Sequence, residues 1–399
     1  MPVSYGGLHA MHGHADAGLG SASHAVLIGI DGLDVRTLHT ALRTGHAPTL
    51  KALRESGAYT DDARVTQPSS SLVNWASTLS GAPPAFHGVH GTRTLGTAVR
   101  PATYPDRAIY PNLFSTAREV VPALATAAFV SWPPLMQLLQ PTGALNASVL
   151  LTCQNCQECI EVEPRLVSDF AAQLAQKRFA LSWIYIDMLD ECGHTHGTAW
   201  DGYLPLVQKV DSWVEQILAA LSAAEIRKQT TVLVMSDHGR ESSQGRSHGG
   251  FSTSEMSVQW LLNGPAVRHG ARLQWPVSIT DCAPTLLHAL GITPSSQMHG
   301  RVVSEAFEGG RRLWRAREFA THNQTQSSSD SVEARIEMAE ARARSSFSHG
   351  VASGVAVCVC VLGVAAVAAV LYRSKRRRSI SPDVQYTHLG GFGGNLPNF

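Results

Sequence analysis

Three apolar runs, HAVLIGI at 24–30, LSWIYI at 181–186 and TTVLVM at 230–235, each stop at or close before an aspartate. Such runs, apolar throughout and rich in β-branched residues, fit strands covered by helices on both faces, as in parallel sheets. TAAFVSW at 126–132 reads the same way, while APTLKALRESG at 47–57 and LPLVQKVDSWVEQILAALSAA at 204–224 carry helical period. Together they predict an α/β fold, a mostly parallel sheet sandwiched by helices. In open sheets of this kind, ligands gather beyond the carboxyl ends of the strands. Asp31, Asp187 and Asp190, and Asp237 with His238 would meet at that edge. Carboxylates crowded together repel one another unless cations neutralise them, so a metal centre is expected.

Histidine spacing sharpens the expectation. DECGHTHG sets His194 four residues after Asp190, and His248 follows His238 by ten. Oxygen and imidazole donors without thiolate suit zinc, with manganese or iron as alternatives. Asp187 rivals Asp190 as a ligand because both follow the same run. In QPSSSLVNWASTLSGAPPAFHGV, Ser69, Ser70 and Ser71 precede a helical run ending at Gly81. A helix N-terminus favours a phosphate or an alkoxide, and a serine there also serves as a simple N-cap. Arg240 and Glu241 read as local ion-pair partners, and Trp75 and Trp132 as core residues sooner than stacking platforms for a base.

The rest of the chain divides by composition. Residues 1–23 form a flexible N-terminal segment, 24–305 the compact domain and 306–350 an Arg-, Glu-, Ala- and Ser-rich stalk. Residues 351–372, VASGVAVCVCVLGVAAVAAVLY, are uncharged and long enough for one transmembrane helix. The basic run RSKRRRS opens the tail, 373–399, and places it in the cytoplasm. The domain then faces the outside or a lumen. Because residues 1–23 lack the apolar core of a signal peptide, either the start lies upstream of Met1 or the span inserts the protein by itself. Asn146 and Asn323 open glycosylation sequons, and Tyr386 to Leu389 has the form of a sorting signal. Of seven cysteines, three stand in CQNCQEC at 153–159, a pattern that favours a disulfide over a zinc site. A net charge of +1, with its only dense basic run in the tail, gives no nucleic-acid-binding surface.

VLIGIDGLDVRTL, SSSLVNWASTLSGAPPAFHGV, YIDMLDECGHTHG, VMSDHGR and SHGGFSTSEMSVQWLLNGPAV occur in an order and spacing that resemble the type I phosphodiesterase/nucleotide pyrophosphatase family of the alkaline phosphatase superfamily. APTLKALRESGA and the closing TDCAPTLLHALGI extend the resemblance over about residues 24–301. It implies two divalent ions, zinc by preference: one held by Asp31, Asp237 and His238 together with the nucleophile, the other by Asp190, His194 and His248. It selects Ser71 as nucleophile and metal contact, and Asn74 as donor to a phosphoryl oxygen. Three departures stand out: Val73 replaces a usual proline, Thr92 stands where many relatives carry a substrate-binding asparagine, and a long insertion before His248 is missing. The expected activity is hydrolysis of a small phosphodiester or nucleotide through a phosphoseryl intermediate. A phosphomonoesterase and a catalytically silent surface protein are the alternatives. A sulfatase fits less well, since SLVNW lacks the proline and arginine that follow a sulfatase nucleophile.

Overall fold

Side chains of the first apolar run part to the two faces of a sheet, as the two-residue period of a strand requires. In β1 (His24–Ile30), Ala25 and Leu27 enter one buried cluster and Val26, Ile28 and Ile30 the other. The structure is a computed structural model that describes residues 19–91, 110–139 and 144–310. The remaining strands described are β2 (Ala58–Arg64), β3 (Thr126–Val130), β4 (Ala147–Leu150), β5 (Leu181–Ile186), β6 (Thr230–Met235), β7 (Ser257–Asn263) and β8 (Ala271–Arg272). They join in one sheet of order β4-β3-β5-β1-β6-β7-β2-β8. The block from β4 to β6 is parallel. β7 runs antiparallel to both β6 and β2, so the sheet is mixed.

The helices described are α1 (Val35–Thr44), α2 (Pro48–Glu55), α3 (Ser71–Ser80), α4 (Pro84–His87), α5 (Leu113–Val120), α6 (Pro133–Leu138), α7 (Cys156–Gln176), α8 (Met188–His196), α9 (Tyr203–Ala223), α10 (Thr253–Met256) and α11 (Cys282–Ala289). Buried residues of α1, α2, α7, α8 and α9 share one face of the sheet, and those of α3, α5, α6 and α11 the other. Phe129 of β3 meets Phe170 of α7 edge to face at 5.4 Å between ring centres, a geometry worth about 0.5–1.5 kcal/mol beyond the area it buries. Five parallel strands thus present their carboxyl ends together, and the loops after β1, β5 and β6 open side by side.

Two disulfides brace this scaffold. Cys153 pairs with Cys159, and Cys156 with Cys192 on α8. Among the described residues no helix is long and apolar enough to cross a membrane. The N-terminal residues 1–18, Thr92, Asn323, most of the stalk, the apolar stretch 351–372, the tail and the Tyr386 motif lie outside the described residues.

Candidate active site

Asp31, the first residue past β1, is fully buried, and its Oδ2 accepts hydrogen bonds from the Tyr185 hydroxyl at 2.7 Å and from Trp75 Nε1 at 2.9 Å. Trp75 reaches it because Gly29 lies beneath the ring: a Cβ there would sit 2.4 Å from Trp75 Cη2. With Oδ2 occupied in this way, Oδ1 is left for the cluster beside it. Trp75 is therefore neither mere filling nor a platform for a base.

α3 brings in the hydroxyl. Ser71 is its first residue and Ser70 its N-cap, which makes no side-chain cap hydrogen bond. The N–H groups of a first helical turn lack partners within the helix and favour negative charge. Ser71 Oγ lies 3.1 Å from His238 Nε2 and 3.3 Å from Asp31 Oδ1. One turn later stands Asn74, wholly buried. Its Oδ1 accepts from the Thr66 hydroxyl at 2.6 Å and from Thr66 N at 3.1 Å, while Nδ2 has no hydrogen-bond partner. A buried amide with its oxygen taken and its NH2 free is a donor held ready.

β6 and the loop after it supply the largest share. Beyond β6, His238 Nε2 lies 3.3 Å from Asp237 Oδ2, 3.4 Å from Asp31 Oδ1 and 3.8 Å from Asp190 Oδ1. Its Nδ1 faces the Gly239 carbonyl at 3.0 Å, so the proton sits there and Nε2 offers a lone pair. The ring of His248 stacks on that of His238, 3.7 Å between centres, and its Nδ1 faces the Ser69 carbonyl at 3.0 Å. Ser69 also gives its hydroxyl to the Gly250 carbonyl and accepts from Gly249 N, which pins the loop bearing His248. On α8, His194 Nε2 lies 3.1 Å from Asp190 Oδ2 and 3.0 Å from His248 Nε2.

Arg240 joins this group from beneath. Its guanidinium is buried and donates to Asp190 Oδ1 and to the Asp190 carbonyl. Gly193 makes room for it, since a Cβ on that turn of α8 would fall 2.4 Å from the guanidinium carbon. The ion pair expected of Arg240 thus involves a candidate ligand. Glu241 organises its own loop, accepting from the N–H groups of Ser243, Gln244 and Arg246.

Burial, then the charge of Asp190, raises the Asp31 carboxyl to about 7. Burial also drives Asp237 and Asp187 well above the carboxylate range, the neighbouring Asp31 adding to it. Burial opposes ionisation of Asp190 as well, but Arg240 and the His194 hydrogen bond overcome it and hold that carboxyl low. His238 is pushed well below its usual value by burial and by His248. Such a cluster resists carrying its charges unaided.

A cation fits the donors present. Asp237 Oδ2 is buried without a hydrogen-bond partner, and the Nε2 lone pair of His238 points into the same space. Ligand atoms of Asp190, His194 and His248, and those of Asp31, Asp190 and His238, lie within 4.8 Å of one another in each set. Asp190 belongs to both. Asp187, the rival, lies on the other side of the Tyr185 hydroxyl, its Oδ1 2.8 Å away and sharing with Asp31 the one proton that hydroxyl carries. It also neighbours Cys153 and Cys159, whose sulfurs are bonded to each other. Asn146 is exposed just before β4, at the opposite edge of the sheet from these groups. Trp132 packs partly buried against the core.

This sheet, with carboxylates and imidazoles at its carboxyl edge and a serine opening a buried helix beside them, defines the alkaline-phosphatase-like class. The chain belongs to the type I phosphodiesterase/nucleotide pyrophosphatase family, a family of metal-dependent hydrolases whose sequence pattern matches residues 25–256. It is 22% identical over 257 residues to ectonucleotide pyrophosphatase/phosphodiesterase family member 1 of Mus musculus, a match covering 61% of this chain and 27% of that protein. It is 31% identical over 100 residues to arylsulfatase K of Danio rerio, covering 25% of this chain and 19% of that one. The matches thus span between about a fifth and a quarter of the curated relatives' length. In fold the chain is similar to a 2-O GAG sulfatase (TM-score 0.57, 16% identity, 72% of this chain and 74% of that). It is likewise similar to human ectonucleotide pyrophosphatase/phosphodiesterase 5 (TM-score 0.55, 13% identity, 71% and 99%).

Proposed function

We propose that this chain is a membrane-anchored hydrolase of phosphodiester or pyrophosphate bonds, working through a phosphoserine on Ser71 with two zinc ions. The reading is carried by the position of Ser71 Oγ, 3.1 Å from His238 Nε2 and 3.3 Å from Asp31 Oδ1, at the rim of the carboxylate and imidazole cluster. Asp31, Asp237, His238 and Ser71 would hold one ion, and Asp190, His194 and His248 the second. Divalent ions held there would supply positive charge that favours the ionised Ser71 hydroxyl and offsets negative charge on the leaving group. Ser71 Oγ bonds to phosphorus as the bond to the leaving alcohol or phosphate breaks in line, and the serine proton passes to the departing oxygen. Water then takes the phosphoryl group from Ser71, and the hydroxyl regains its proton. Tyr185 and Trp75 keep Asp31 in one orientation throughout, and the free NH2 of Asn74 donates to a phosphoryl oxygen. Asn74→Ala is accordingly expected to lower kcat roughly 100- to 1,000-fold with little change in KM. Steady-state kinetics that leave kcat intact remove Asn74 from the mechanism.

Family membership favours the diester, and an inactive variant of murine ectonucleotide pyrophosphatase/phosphodiesterase 5, similar in fold at a TM-score of 0.52, was solved with AMP. A panel of chromogenic esters on the zinc-loaded full chain tests it. Thymidine 5′-monophosphate p-nitrophenyl ester is turned over faster than p-nitrophenyl phosphate or p-nitrophenyl sulfate. Faster release from the monoester or the sulfate reassigns the reaction, and a chain that takes up no metal and turns over none of the three is a silent scaffold. The span at 351–372 anchors the protein with this domain on the non-cytoplasmic side, a reading supported by the two disulfides, which persist in oxidising compartments. Asn146, exposed and away from the site, is then the residue that carries a glycan, its Oδ1 accepting from the Thr126 N–H at 2.9 Å.

A further inference from the structure

The helix that carries Asp190 and His194 is weak by itself. α8 has nine residues, too few for stability alone, and carries a glycine, Gly193, in its interior, which lowers its helix propensity further. Asp187 at its N-cap makes no side-chain cap hydrogen bond. Both deficits are met from α7. The buried carboxylate of Glu163 accepts from the N–H groups of Asp187 and Met188, replacing the missing cap with one supplied by another helix. Cys156, the first residue of α7, is bonded to Cys192, which stands between Asp190 and His194.

We propose that α7, through the Cys156–Cys192 bridge and the Glu163 cap, positions α8 so that Asp190 and His194 meet His248 around the second cation. The inference rests on the reading that these three residues hold an ion. The first site draws Asp31, Asp237 and His238 from the ends of β1 and β6, and only Asp190, which both sets share, ties it to α8. The bridge therefore governs the two ions unequally. Cys153–Cys159 ties the α7 N-terminus to itself and serves as the control.

Zinc titration of the metal-stripped full chain by calorimetry against a competing chelator tests this. The wild type takes up two ions. Cys156→Ser/Cys192→Ser binds the second roughly 10- to 100-fold more weakly, the usual cost of losing outer support of a ligand, and the first nearly unchanged. Glu163→Gln, which keeps the bridge but gives up one capping oxygen, shows the same selective loss to a smaller degree. Cys153→Ser/Cys159→Ser leaves both affinities in place. Wild-type affinities in the first two variants, or a loss shared equally by both ions, overturn the proposal. A wild type that binds no zinc instead refutes the metal reading beneath it.

Discussion

Ser71→Ala loses turnover by about four orders of magnitude or more, because the hydroxyl it deletes is the atom that bonds to phosphorus. The same protein keeps its metal content, since Asp31, Asp237 and His238 are untouched and Asp190, His194 and His248 stand apart from α3. Initial-rate measurements paired with elemental analysis separate these outcomes. Full activity in the alanine variant moves the nucleophile to another residue. Loss of metal along with turnover makes Ser71 a ligand first and a nucleophile only by inference.

Asp190→Ala has the largest effect on stability. Removing the carboxylate leaves the Arg240 guanidinium buried without its anionic partner, and breaking one side of a buried ion pair costs about 3–5 kcal/mol. For a domain of this size that corresponds to a fall in Tm of roughly 10 °C, read by calorimetry with chelator present so that metal binding does not contribute. Adding Arg240→Met to the same chain recovers most of the loss, because the orphaned charge goes with it, yet restores no activity. A single variant that melts with the wild type shows that Asp190 and Arg240 are not the pair described.

The groups at the strand ends were legible because central parallel strands are uniformly apolar, so the first aspartate after each one marks where the sheet stops. β1, β5 and β6 occupy the very runs that precede Asp31, Asp187 and Asp237. β2 gave no such signal: its AYTDDAR lies toward the sheet margin, where Asp61 reaches Arg54 and His39 and no apolar alternation is needed. The partners of the site residues were hidden for a different reason. Trp75 and Tyr185 are ordinary residues for a helix and a strand, and their hydrogen bonds to Asp31 exist only once distant segments meet. Ser69 illustrates the same limit. Two residues before the nucleophile position, it holds the loop that carries His248. The cysteine cluster announced a disulfide, but one partner, Cys192, lies 36 residues away on another helix.

From Leu72 to Ser80 every residue of α3 is buried. The hydroxyl is thus mounted on an anvil whose other surfaces are already committed to packing, and altering that helix costs stability before it alters preference. Evolution or a designer seeking a new ester must work around the opening instead. Phe251, 83% exposed and three residues beyond His248, is the natural place to begin such remodelling.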